Sequence, residues 1–406
     1  MRTILITGPG GSGRTTIAAA TALTAAREGS RTLLLSADRT DTPGTALGTA
    51  TGPVPAEAAE RLTVWRPDPA ARFREDLTAF QSRAAHVLDL LGAARLDAEE
   101  VTPLPGAEEL SFLRALRDAA LSERYDLLVA DLPPLPQALA LLGLPEELRR
   151  YLRRLLPPER QAARALRPVL GRLAGIPMPA DWLYETAARW DVELAAVEAV
   201  LADRNTAVRL VAEPGPAGAD AVRAAGLGLA LRGLRTEALI ANRTLPESAS
   251  GGWPAHPSPE PSSAPAWAPL LSLHAQQRKA LADWREAYRV HPVPHLGRDP
   301  HGPDDLDALA VPAVNPAPAP VEWSVTDRIA EDGVLVWNLP LPGAIRDELD
   351  LIRRGDELLI TAGPFRRIVP LPSALRRCTV AGAGLRDGEL RIRFAPDPGL
   401  WPAAGR

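Results

Sequence analysis

The sequence predicts an α/β part built on a mostly parallel sheet with helical insertions, followed by a small β-sandwich. Three observations carry this. A short apolar run, Thr3 to Thr7, passes through a glycine-rich stretch, Gly8 to Gly13, into a helical pattern. Four more apolar runs follow, separated by helical patterns. Beyond residue 321 the hydrophobic period changes from that of a helix to simple alternation.

The elements follow in order. Thr15 to Glu28 has helix spacing and closes at Gly29, which tolerates the backbone a helix end requires. The runs Thr32 to Ser36, Leu127 to Ala130, Val208 to Val211 and Ala238 to Ala241 alternate with helical patterns, as parallel strands joined by crossover helices must. Leu148, Tyr151, Leu152, Leu155 and Leu156 recur at helical spacing, with Arg149, Arg150, Arg153 and Arg154 mainly on the other side as a solvated face. Pro246 to Pro269 holds seven Pro and five Ser in 24 residues, a composition that reads as a disordered surface insertion (246–269). A second proline-rich stretch, Pro312 to Pro320, marks the boundary, so residues 1–311, 312–321 and 322–401 are expected to be domain, linker and sandwich. Period-two runs then appear at Val334 to Leu341, Leu349 to Ile352, Leu358 to Thr361, Ile368 to Leu371 and Leu390 to Phe394. Turns at Arg354-Gly355-Asp356 and Asp387-Gly388 separate them. Phe365, Val369 and Leu371 share one strand face and Leu390, Ile392 and Phe394 another, which predicts a sandwich of seven or eight strands.

Composition narrows the function classes. A chain of 406 residues suffices for two or three domains, and a net charge of -4 offers no field for holding nucleic acid. Cys378 is the single cysteine, so an intrachain disulfide, a CxxC zinc site and a multi-thiolate metalloid site within one chain are all excluded. No apolar run approaches the roughly 18 residues of a membrane span, and the N-terminus lacks a signal peptide's long apolar core; a cytoplasmic protein with no integral membrane segment is expected. Lys279 is the single lysine among 46 basic residues. That bias reads as nucleotide composition, so an Arg in place of a Lys carries less meaning than other changes.

Gly8-Pro9-Gly10-Gly11-Ser12-Gly13-Arg14-Thr15 fits G-x-x-x-x-G-K-[ST] at every fixed position except the lysine, between a strand and a helix as that motif requires. The glycines let backbone N–H groups turn toward phosphate oxygens, the helix N-terminus favours an anion, and Thr15 is placed to ligate Mg²⁺. The plain alternative is a glycine-rich turn without a ligand.

Those residues carry a resemblance. Ile6 to Gly48, Tyr125 to Leu148 and Val208 to Pro246 resemble the ArsA family of deviant-Walker ATPases, which includes arsenite-pump and tail-anchored-protein targeting ATPases of the P-loop NTPase-like fold. The likeness extends over most of residues 1–311 and is weakest around 54–100 and in the insertion. Where the family reads GKGGVGKTT, this chain has Gly8 to Thr16, and where it reads DPAHSLSDALG, this chain has Asp38 to Gly48. The resemblance implies ATP and Mg²⁺ as ligands, with Gly8, Gly10, Gly11, Ser12, Gly13, Arg14, Thr15 and Thr16 holding phosphates. It also implies Thr15 and Asp131 on the metal side, Asp38 as the carboxylate that orients the attacking water, and Asn242 as the residue that reads adenine. Four departures stand out. The loop lysine is Arg14, and the lysine that in the family crosses a dimer to the partner's nucleotide is Pro9. Leu135 and Pro136 replace the switch Thr-Gly, and Asp41 stands where the family has His.

Gly363 to Pro372 matches G-x-F-x-R-x-x-x-L-P, and Ala383 to Ile392 matches A-x-L-x-x-G-x-L-x-[VI], both patterns of small heat shock proteins. Residues 322–401 thus resemble an α-crystallin domain, without that family's I-x-I tail. Two functions compete on this basis. One is a dimeric ATP-binding switch that handles protein clients through a chaperone-like module, its hydrolysis weakened or lost through Arg14 and Pro9. The other is a pseudo-ATPase scaffold. An arsenite-pump subunit is set aside because a thiolate metalloid site needs several cysteines.

Overall fold

The computed structural model describes residues 1–83, 85–90, 92, 94–156, 180–246, 268–319 and 321–401. The expected insertion, Pro246 to Pro269, falls almost wholly outside them. The chain divides into two compact units, one of residues 1–7, 13–206 and 296–314 and the other of 8–12, 207–295 and 315–406.

The first unit runs β1 (Arg2–Thr7), α1 (Arg14–Arg27), β2 (Thr32–Ser36), α2 (Thr42–Leu47), β3 (Ala56–Ala59) and β4 (Leu62–Trp65). It continues with α3 (Pro69–Arg83), α4 (Ala85–Leu90), α5 (Ala107–Leu121), β5 (Leu127–Asp131), α6 (Leu135–Leu155) and α7 (Ala180–Ala202). The second begins with β6 (Thr206–Ala212), α8 (Pro216–Leu231), β7 (Thr236–Thr244), α9 (Ala268–Ala287) and β8 (Val290–Pro294). The mostly parallel strands number five in the first unit, in the order β3-β4-β2-β5-β1, and three in the second, in the order β6-β7-β8. Ile4, Leu5, Ile6, Leu33, Leu34, Leu35, Leu128 and Val129 are at most 1% exposed, which is why these strands read as unbroken apolar runs.

Three strands of the α/β part escaped the sequence. β3 and β4 have four residues each, and β3 runs antiparallel to β4. β8, Val-His-Pro-Val-Pro, carries two prolines that deny ladder donors, which a strand tolerates at a sheet edge. The arginine face of α6 also differs from expectation. Arg149 is half-buried between helices, its Nε 3.1 Å from Asp191 Oδ1 of α7 and its Nη1 paired with Glu198. Tyr151 and Leu155, expected to pack inward, are 48% and 76% exposed.

The C-terminal part has seven strands among the described residues: β9 (Val325–Arg328), β10 (Val334–Pro340), β11 (Leu349–Arg354), β12 (Glu357–Ala362), β13 (Phe365–Pro370), β14 (Cys378–Arg386) and β15 (Glu389–Pro396). They form a four-stranded sheet, β14-β15-β10-β9, and a three-stranded one, β11-β12-β13. Val369, Leu371, Leu390, Ile392 and Phe394 meet in one core, with Phe365 packed against it as its strand position implies. That core is not closed by strands alone. Leu227 and Leu231 of α8 belong to the same buried cluster, and Arg367 Nη1 donates to the Leu231 carbonyl at 2.8 Å.

Candidate functional site

In the first unit, parallel pairing assembles a polar cluster at the carboxyl ends of the strands, the end where open α/β sheets bind ligands. Asp131 closes β5 and sits in register with Ile6 of β1 and Ser36 of β2. Ser36 Oγ donates to Asp131 Oδ2 at 2.7 Å and accepts from the Asp38 N–H at 3.1 Å. Asp38 Oδ1 in turn accepts from both the N–H and the hydroxyl of Thr40, each at 2.7 Å. Asp38 also borders a cavity of about 610 Å³ walled by Arg39, Arg66, Glu108, Phe112 and Gln137. Asp41, in the family's His position, is occupied otherwise: it caps α2 by accepting from Gly44 N–H and binds Thr51 N–H.

Burial pushes the Asp131 carboxyl up to about 6; the Ser36 hydroxyl, the Arg14 charge and the Thr15 hydroxyl pull the other way. An unfolded Asp ionises near 3.8. Between about pH 4 and pH 6 the folded state therefore keeps a proton that the unfolded state has released. Stability falls as pH rises through that window and stays lower above it, by roughly 3 kcal/mol. Asp131→Asn should therefore raise the unfolding midpoint at pH 7.5 in the presence of a chelator and match the parent below pH 4. A lower midpoint at pH 7.5 would show that the ionised carboxylate is compensated in the fold.

α1 starts at Arg14 behind Gly13, whose φ of 84° is left-handed; no side chain caps this N-terminus. Thr15 lies beside Asp131, and half-buried Thr16 follows in the first turn. The Arg14 guanidinium folds back to the Leu132 carbonyl, and burial lowers its pKa against the pull of Asp131 and Asp38. Two atoms in this cluster are buried without a hydrogen-bond partner, Arg14 Nε and Asp131 Oδ1. One is a donor lacking an anion and the other an acceptor lacking a cation. This donor set fits a phosphate with a hard divalent metal.

The preceding loop residues belong to the second unit. A Cβ on Gly8 would lie 1.9 Å from the Val211 carbonyl, so only glycine permits this approach to β6. Gly10 and Gly11 have nothing within 4 Å of an added Cβ, leaving open space on that side of the loop, and Gly11 has φ 78°. Ser12 is 3% exposed and its hydroxyl donates to the Pro9 carbonyl at 2.9 Å. Asn242, near the end of β7, is 5% exposed and its Nδ2 donates to the Ser12 carbonyl at 2.8 Å. The next residue, Arg243, donates to the Gly11 carbonyl at 3.3 Å and pairs with Glu213 at 2.6 Å.

The structure thus gathers Arg14, Thr15, Asp38 and Asp131 into one cluster, and Gly11, Ser12 and Asn242 into another. Sequence reasoning passed over Ser36, Arg243 and Glu213. Ser36, a hydroxyl ending an apolar strand two residues before Asp38, was a usable signal, whereas nothing local marks Glu213 as a partner for Arg243.

Comparison with known proteins gives the family. A family model described as anion-transporting ATPase matches residues 1–253, and one described as an HSP20-like domain found in ArsA matches 332–394. The chain is 70% identical over 402 residues to an uncharacterised protein of Streptomyces coelicolor, covering 99% of each. It is 31% identical over 428 residues to a protein of Mycobacterium tuberculosis, covering 99% of this chain and 97% of the other. It is 25% identical over 407 residues to a putative arsenical pump-driving ATPase of Aquifex aeolicus, covering 97% and 99%. Among the described residues no helix is long and apolar enough to cross a membrane.

Proposed function

The chain belongs to the anion-transporting ATPase family, and from that premise we propose that it is an ATP-binding molecular switch whose hydrolysis is weakened or lost. The observation that carries this is the buried pair of unpartnered atoms, Arg14 Nε and Asp131 Oδ1, at the head of a helix that follows a phosphate-type loop. Backbone N–H groups of Gly10, Gly11, Gly13, Arg14 and Thr15 would bind phosphate oxygens, which needs no lysine. Thr15 and Asp131 would hold Mg²⁺, which would supply positive charge to the phosphates. Asp38, oriented by Thr40, positions the attacking water. The guanidinium of Arg14, already donating to Leu132, is a poor replacement for a mobile ammonium, and this favours binding with slow or no turnover.

Calorimetry with MgATP is expected to give saturable heat that falls when Mg²⁺ is withdrawn. No heat at millimolar nucleotide would leave only a scaffold. The proposal includes a homodimer and protein clients. The exposed Tyr151 and Leu155 of α6 support a protein partner, and suppression of a destabilised reporter protein's aggregation tests it. The β-sandwich, whose core is shared with Leu227 and Leu231, acts in this reading as a docked module.

A further inference from the structure

The loop from Gly8 to Ser12 is held from two strand ends. At its start, Gly8 packs on the Val211 carbonyl of β6. At its other end, the consecutive carbonyls of Gly11 and Ser12 are taken by the consecutive side chains of Arg243 and Asn242 of β7. In a trans peptide the C=O and the following N–H point in opposite directions. A bond that anchors the Ser12 carbonyl therefore aims the Gly13 N–H the other way, and the Ser12 N–H, opposite the Gly11 carbonyl, is turned onto the Pro9 carbonyl at 3.4 Å, which closes the loop on itself. Arg243 is itself fixed. It has φ 56°, left-handed for a residue with a Cβ, and Glu213 pairs with its guanidinium at 2.6 Å. Asn242 is 5% exposed, and one N–H of its side-chain amide is spent on the loop.

We infer that Asn242 and Arg243 are positioning residues that brace the phosphate loop, acting on the triphosphate of any nucleotide. This rests on the nucleotide-binding reading above. Glu213 holds Arg243 in place for that role.

The test is calorimetry of the full chain with MgATP, MgGTP and inorganic tripolyphosphate. Arg243→Met and Asn242→Ala should weaken all three alike, on the order of tenfold, leaving the ATP:GTP ratio unchanged; Arg243→Lys should recover part of the loss. Without nucleotide, Arg243→Met should unfold at the parent temperature, which separates bracing of the loop from support of the fold and keeps the test open if Asn242→Ala is unstable. Loss confined to ATP would assign these residues to the base and overturn the inference, as would unchanged affinity for all three. A parent protein that binds none of the three overturns the nucleotide reading itself, and the inference with it.

Discussion

Arg14→Lys alone should leave ATP turnover near the parent rate, whereas Pro9→Lys combined with Arg14→Lys should raise it by about 10³ or more. The size follows from the electrostatics of phosphoryl transfer, where one added cation at the transferring group is worth about 10³ to 10⁵ in rate. The Arg14 guanidinium is planar, half-buried and committed to the Leu132 carbonyl. Replacing it mends the near side of the site and leaves position 9 with no charge to offer. If a lysine at position 9 serves a partner's nucleotide, as the family resemblance implies, specific activity of the double variant should also rise with protein concentration and then saturate. Brisk turnover from Arg14→Lys by itself would show that Pro9 is not the obstacle. A concentration-independent rate in the double variant would remove the dimer.

Glu237→Gln should cost about 3 to 5 kcal/mol of folding free energy, measured by denaturant titration, because it removes one partner of a buried ion pair in the second unit. Arg209 and Glu237 both have side chains with 0% exposure, and Arg209 Nε donates to Glu237 Oε1 at 2.6 Å. Glu237 Oε2 accepts from Asn315 Nδ2 at 3.0 Å, and Asn315 Oδ1 accepts from Arg289 at 2.6 Å. The network thereby ties the proline-rich stretch after the α/β part to β6 and β7. Burial and the Arg209 charge also lower the pKa of His291, and an imidazole, neutral or cationic, cannot replace the Glu237 carboxylate. Removing both charges at once, as Arg209→Met with Glu237→Leu, takes the buried cation away with its carboxylate and should restore most of the loss. A double variant no more stable than Glu237→Gln would mean that the wider network, and not the pair, carries the energy.

Local pattern by itself determined the strand, glycine loop and helix at the N-terminus, because each step has a short-range physical demand. Glycine takes the left-handed backbone at positions 11 and 13 without steric cost, only glycine permits the close approach at position 8, and a fully buried strand accounts for the run from Thr3 to Thr7. Alternation likewise made Val369, Leu371, Leu390, Ile392 and Phe394 core residues before any partner was known. Tertiary structure alone decided that Ser36 faces Asp131, that Glu213 fixes Arg243, that Arg149 serves α7, and that α8 completes the sandwich core. Those pairs are separated by 95, 30, 42 and more than a hundred residues. Their partners are chosen by sheet register and helix packing, which depend on the whole chain closing on itself; periodicity in a window of a dozen residues states which face is buried but not what lies against it.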